Sequence, residues 1–243
     1  MTKVYIDNNV LVDIECGYYN LSDFLKSENL EYYFSSSHID ELIEGRDLKS
    51  LSVNNRLSLI EKLCYTNYIL SGSVLPEICP MSPQKAYEIG NSPLTLFLHN
   101  KINNSIASFI VDREKILEIL RIRKIEINNI PPQDIIGKLD EALTLAKEVD
   151  IKSYLQSTGA KGRALFSTLF NLLDFASYYK DKQTEHSDIA RLHDASHAYY
   201  AQLCDYFVSQ DKRMRYKTEA VYCYLGVKTT IFSTTDYIKW LST

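Results

Sequence analysis

Short apolar runs alternate with longer amphipathic stretches along this chain, and that alternation predicts most of its architecture. Val4, Tyr5 and Ile6 form a first apolar run that turns abruptly polar at Asp7, Asn8 and Asn9. Such a switch reads as a short buried strand followed by a helix start. Val10 to Ile14 begins that helix, Gly17 breaks it, and Leu21 to Leu25 begins another with Asn20 or Ser22 available as its cap. Tyr32, Tyr33 and Phe34 predict a second strand, closed by Ser35, Ser36 and Ser37. The helix beyond it sets Ile39, Leu42 and Ile43 on one face, with Asp40, Glu41 and Glu44 among them.

From about residue 48 to 185 the periodicity is helical. Leu51, Leu57, Leu59, Ile60 and Leu63 predict one helix, Val74 to Pro83 is an irregular or strand segment marked by proline, and Gly90 to Pro93 is a break. Ile106 to Arg123 fits an amphipathic helix through Ile110, Ile116, Leu117 and Leu120. Ile135 to Val149 and Leu165 to Tyr179 predict two more, separated by a loop containing Gly159 and Gly162. Lys161 and Arg163 flank that second glycine, but the spacing is not that of a phosphate-binding loop, and they read as solvated cations. No repeat or low-complexity tract is present, so this stretch is expected to be a helical insertion or lid.

In the tail, Ser187 and Asp188 precede a helix that carries His193, Asp194 and His197. Asp205 to Val208 predicts a strand closing on Ser209, Gln210 and Asp211; Met214 to Leu225 is a helix ended by Gly226; Val227 to Phe232 is a last β-branched strand. Helices alternating with short strands argue for an α/β fold with a central, mainly parallel sheet flanked by helices. The expected organisation is one domain built from residues 1–47 and 186–243, interrupted by the insertion of about 48–185.

Composition narrows the picture only a little. With 45% apolar and 24% charged residues among 243, the chain is an ordinary globular sequence. Its formal charge of −4 means that any nucleic-acid binding must rest on local patches. Cys16, Cys64, Cys79, Cys204 and Cys223 are widely spaced and include no C-x-x-C pair, so neither a disulfide framework nor a zinc knuckle is suggested. No apolar run approaches bilayer length and no secretory signal opens the chain, so a cytoplasmic protein without membrane attachment is expected. The 18 tyrosines could serve as core, interface or base-stacking platforms.

The candidate chemistry lies at strand ends. Asp7 follows the first strand directly, where it can cap the next helix or hold a hard cation. Asp211 follows the Asp205–Val208 strand, Glu41 lies on the helix after the second strand, and Asp194 lies on the helix leading into the Asp211 strand. Four carboxylates at one sheet edge would repel one another unless a divalent cation neutralised them, which is the arrangement used in metal-assisted phosphodiester hydrolysis.

These residues carry a resemblance to the PIN-domain nucleases. Tyr5-Ile-Asp7-Asn8-Asn9-Val10-Leu11 is similar to the family's opening hydrophobic-D-x-N motif, and Phe34-Ser35 with Glu41-Leu42 to its strand, serine and helix-borne acid. Asp194-x-x-His197-x-x-Tyr200-Ala201 and Asp205-Tyr-Phe-Val-Ser209-x-Asp211-Lys212 are similar to its third acid and closing [T/S]-x-D. The motifs cover about a third of the chain, at its two ends, and Asn8 stands where small toxins of the family usually have threonine. The resemblance implies a PIN-like fold in which Asp7, Glu41, Asp194 and Asp211 are catalytic and hold Mg²⁺ or Mn²⁺, supported by Asn9, Ser209, His197 and Asp205. Asp188 and Asp205 compete for the third acid, and Glu44 for the second.

The implied activity is a metal-dependent endoribonuclease acting on single-stranded RNA, in the setting of a toxin or defence nuclease, with a DNA-directed nuclease as an alternative. A protein partner such as an antitoxin, or self-association, would accompany it. Lys212, Arg213, Arg215 and Lys217 follow the last acid and could neutralise substrate phosphates; Lys115, Arg121, Arg123 and Lys124 form a second basic patch. Two rival readings stand beside this one. His193 and His197 are spaced to share a helical face and chelate zinc with Asp194 between them, although no H-E-x-x-H signature accompanies them. The chain could also be a PIN-like scaffold that binds RNA or protein without cutting.

Overall fold

The computed structural model describes residues 1–45, 53–72, 74–91, 118, 124–147, 150–180 and 187–243. The chain divides into two compact units. The first comprises Met1–Ser108, Tyr200–Asp211 and Thr229–Thr243, and the second Phe109–Tyr199 and Lys212–Lys228.

The first unit is an α/β fold around a six-stranded, mostly parallel sheet. Its strands are β1 (Thr2–Ile6), β2 (Leu30–Ser35), β3 (Asn67–Leu70), β4 (Glu77–Pro80), β5 (Tyr206–Val208) and β6 (Thr230–Phe232), in the spatial order β4-β3-β2-β1-β5-β6. β1 pairs in parallel with β2 (Val4 opposite Tyr32) and with β5 (Ile6 opposite Val208). Val4, Tyr5 and Ile6 are buried, as a central parallel strand covered on both faces requires. β4 is antiparallel to β3 and closes the sheet with Glu77 and Pro80, residues that discourage further strand pairing.

Helices α1 (Asn8–Glu15), α2 (Leu21–Phe24), α3 (Ser36–Glu44), α4 (Val53–Cys64), α5 (Pro83–Gly90) and α11 (Thr234–Trp240) belong to this unit. Ile39 and Leu42 of α3, with Leu57, Ile60 and Leu63 of α4, pack in one core with Val4, Ile6, Phe34 and Val208. The second unit holds α6 (Pro132–Lys147), α7 (Ile151–Thr158), α8 (Gly162–Phe175), most of α9 (Ser187–Ala201) and α10 (Lys212–Leu225). Leu139, Leu143, Phe166, Leu169, Phe170 and Val221 are buried there.

The α/β class and the mainly parallel sheet agree with the sequence expectation. The expected division does not: β3, β4, α4 and α5 come from the stretch assigned to the insertion, yet two of them are strands of the same sheet. Asn67-Tyr-Ile-Leu70 is too short, and follows too closely on the α4 pattern, to stand out as a strand. The second unit also takes in α10 and most of α9, which were assigned to the sheet domain. Apart from residue 118, the helix expected over 106–123, with the basic residues Lys115, Arg121 and Arg123, lies outside the described residues, as does the side chain of Lys124. Among the described residues, no helix is long and apolar enough to cross a membrane.

Candidate active site

The strand order reverses beside β1. The chain runs from β1 outward through β2 and β3, and later returns to β5 on the opposite side of β1. Open α/β sheets bind ligands outside the carboxyl ends of their strands at such a reversal, because the two connecting segments diverge and leave a crevice. Asp7 stands at the carboxyl end of β1, and Ser209 and Asp211 follow the carboxyl end of β5.

Asp7 both caps α1 and anchors this edge. Its Oδ1 accepts the Asn8 backbone N–H at 2.8 Å, and its Oδ2 accepts from Asn9 Nδ2 at 2.9 Å and from Ser209 Oγ at 2.6 Å. Ser209 Oγ in turn accepts the Asp211 backbone N–H at 3.2 Å. The strands are joined at the same level, since the Asp7 N–H donates to Val208 O at 2.9 Å. Asp7 is only 4% exposed, so its carboxylate is retained by directed donors and not by solvent.

Glu41 reaches the same edge through an asparagine. Asn8 Nδ2 donates to Glu41 Oε2 at 2.6 Å, and Asn8 Oδ1 accepts from Arg56 Nη1 at 2.6 Å. Asn8, the first residue of α1, therefore links that helix to Glu41 of α3. Glu41 is half-buried, whereas Glu44 is exposed near the end of α3. α3 is fixed against β1 by His38. Its Nδ1 accepts the Ser35 N–H at 3.1 Å, which requires the proton on Nε2, and Nε2 donates to Ile6 O at 2.7 Å. Tyr5 completes this support, its hydroxyl 2.6 Å from Ser35 Oγ. Burial pushes its phenol well above the ordinary range, and the charges of Asp7 and Glu41 add to the rise.

Asp205 has a different place. It precedes β5, and its Oδ2 accepts the Lys3 backbone N–H at 2.8 Å, at the amino end of the sheet. The strand itself separates it from the edge that carries Asp7, so the expectation that Asp205 supports the acids or replaces one of them is corrected.

The remaining expected residues lie in the second unit. Asp194 Oδ2 is 3.8 Å from Lys217 Nζ, and Lys217 also meets Asp174 Oδ1 at 3.3 Å. Arg191 Nη1 is 3.4 Å from Asp174 Oδ2. Lys217 is fully buried, so its assignment as a phosphate-binding residue is corrected: its charge is spent on internal carboxylates. Lys212 is exposed and Arg213 and Arg215 are half-buried; Lys212 Nζ lies 5.6 Å from the centre of the Tyr216 ring. His193 and His197 are buried on α9.

In kind, the donors of the first unit suit a hard divalent ion, being carboxylates supported by amides and a hydroxyl. In placement they are not a closed ligand set: among the described residues, no three His, Cys, Asp or Glu side chains are grouped so as to hold a metal. That holds equally for the zinc reading of His193 and His197.

Arg56 was not anticipated from the sequence. The available signal was its position four and seven residues before Ile60 and Leu63, which puts a charge on the apolar face of α4.

No protein-family profile, curated protein or solved structure matches the chain.

Proposed function

We propose that the protein is a PIN-like, divalent-metal-dependent endoribonuclease acting on single-stranded RNA. The observation that carries this reading is the linkage through Ser209, whose hydroxyl donates to the Asp7 carboxylate and accepts the Asp211 backbone N–H at the reversal of strand order. Asp7, Glu41 and Asp211 would hold Mg²⁺ or Mn²⁺, with Asp194 added by the family resemblance alone. When bound, such an ion supplies activation of the attacking water and neutralisation of charge on the phosphoryl group. The chain's own part is to hold the carboxylates. Ser209 and Asn9 both donate to Asp7 Oδ2, and Asn8 donates to Glu41, so these two acids are oriented by neutral donors. Lys212, Arg213 and Arg215 supply positive charge for phosphates.

A second reading is a PIN-like scaffold that binds RNA or a protein partner without cutting it, and it is favoured by the fact that among the described residues no three His, Cys, Asp or Glu side chains are grouped. Incubation with end-labelled single-stranded RNA and, in parallel, DNA, in chelator and in Mg²⁺ or Mn²⁺, separates these readings. Metal-dependent cleavage of RNA supports the endoribonuclease, metal-dependent cleavage of DNA alone moves the substrate to DNA, and binding without cleavage supports the scaffold.

A further inference from the structure

We propose that Arg56 is a positioning residue for the acid edge and acts through Asn8, an inference that rests on reading that edge as the nuclease site. Arg56 is 3% exposed on α4. Its Nη1 donates to Asn8 Oδ1 at 2.6 Å and its Nη2 to Glu15 Oε2 at 2.5 Å.

A guanidinium has only donors, so it dictates which end of the Asn8 amide faces it. The carbonyl oxygen must turn towards Arg56. The amide nitrogen is thereby turned to Glu41, whose Oε2 lies 2.6 Å away. Glu15, Arg56, Asn8 and Glu41 thus form a relay of carboxylate, guanidinium, neutral amide and carboxylate, in which the orientation of Asn8 is set at one end and used at the other.

Stability alone is a poor account of this arrangement. Arg56 Nε and Glu15 Oε1 are buried without a hydrogen-bond partner, and a partly satisfied buried charge pair is often no better than apolar packing of similar volume. What an apolar pair could not supply is a fixed orientation of the Asn8 amide.

Two variants test this. Arg56→Met/Glu15→Leu removes the pair together, leaving no orphaned charge. Asn8→Asp keeps an acceptor for Arg56 and removes the donor to Glu41. The Asn8 side-chain amide is followed by nitrogen-edited NMR, and kcat and KM are measured on single-stranded RNA. We expect Asn8 amide protons protected from solvent exchange in the wild type and unprotected in the double variant. In both variants kcat should fall about tenfold to a hundredfold at unchanged KM, the usual effect of losing a residue that orients a ligand.

A protected Asn8 amide in the double variant, or wild-type kcat in Asn8→Asp, overturns the proposal. If the double variant does not fold, the amide is read in Arg56→Gln/Glu15→Gln, which is uncharged and faces Asn8 with a side chain offering both a donor and an acceptor, so that it does not dictate the orientation of the Asn8 amide; protection there overturns the proposal and its loss supports it. If the wild type cleaves no nucleic acid, the nuclease reading fails separately, and amide protection alone decides the role of Arg56.

Discussion

Ser209 Oγ donates to Asp7 Oδ2 across 2.6 Å although 202 residues separate them in sequence. The same oxygen accepts the Asp211 N–H, so one hydroxyl ties the Asp7 carboxylate after β1 to the backbone that follows β5. Ser209 is fully buried. Ser209→Ala should therefore lower stability by about 1.5–3 kcal/mol, the range for hydrogen bonds to charged groups. Urea unfolding checks this, with the midpoint lowered and the slope unchanged; a variant as stable as wild type would mean that the link carries no load.

The basic stretch after Asp211 splits by burial. Replacing Lys212, Arg213 and Arg215 together by Ala should reduce the slope of log affinity for single-stranded RNA against log salt by about 2, at roughly 0.7 per lost phosphate contact. An unchanged slope would show that these cations face solvent and not substrate.

Lys217 has the opposite role. Its ammonium is buried against Asp174 and Asp194, and Lys217→Met leaves those carboxylates without it at a cost of about 3–5 kcal/mol. Lys217→Met/Asp174→Leu should recover much of the loss. Chemical unfolding of the two variants decides, and a single variant near wild-type stability contradicts the ion-pair assignment.

Tyr32 sets an alkaline limit. Burial raises its phenol from 10.0 to about 12, partly opposed by the hydrogen bond to Tyr237, whose hydroxyl is 3.0 Å away. The folded protein then holds this proton more tightly than the unfolded chain. The contribution is intact below pH 10 and is lost as pH rises towards about 12. Burial raises Tyr68, Tyr178 and Tyr237 in the same direction. Circular dichroism across this range should show alkaline destabilisation that is shallower in Tyr32→Phe; an identical pH dependence would contradict the assignment.

The legible parts of this molecule were those encoded locally. Val4 to Asp7 announces a buried strand and its polar end, and Ser209-x-Asp211 repeats that pattern after Val208. β3 was not legible, because four residues set off from α4 only by Tyr65 and Thr66 carry too little periodicity. The extent of the second unit was hidden for another reason. α10 follows β5 in sequence, but it packs with the helices of the middle stretch, as Tyr222 shows by meeting the Phe166 ring edge to face at a centroid distance of 6.3 Å. The function of Asn8 was hidden because its two partners, Glu41 and Arg56, are 33 and 48 residues away. A side-chain amide gives no sign in sequence of which groups will orient it.

The most direct test of the acid edge is the unfolding free energy of wild type and Asp7→Asn, each in chelator and in excess Mn²⁺. The substitution retains the size of Asp7 and one acceptor oxygen while removing its charge. Wild type should gain about 2.7 kcal/mol at a hundredfold excess of Mn²⁺ over its dissociation constant, and Asp7→Asn should gain little. Equal stability of wild type in chelator and in Mn²⁺, or the same gain in both proteins, would contradict the assignment of Asp7 as a metal ligand.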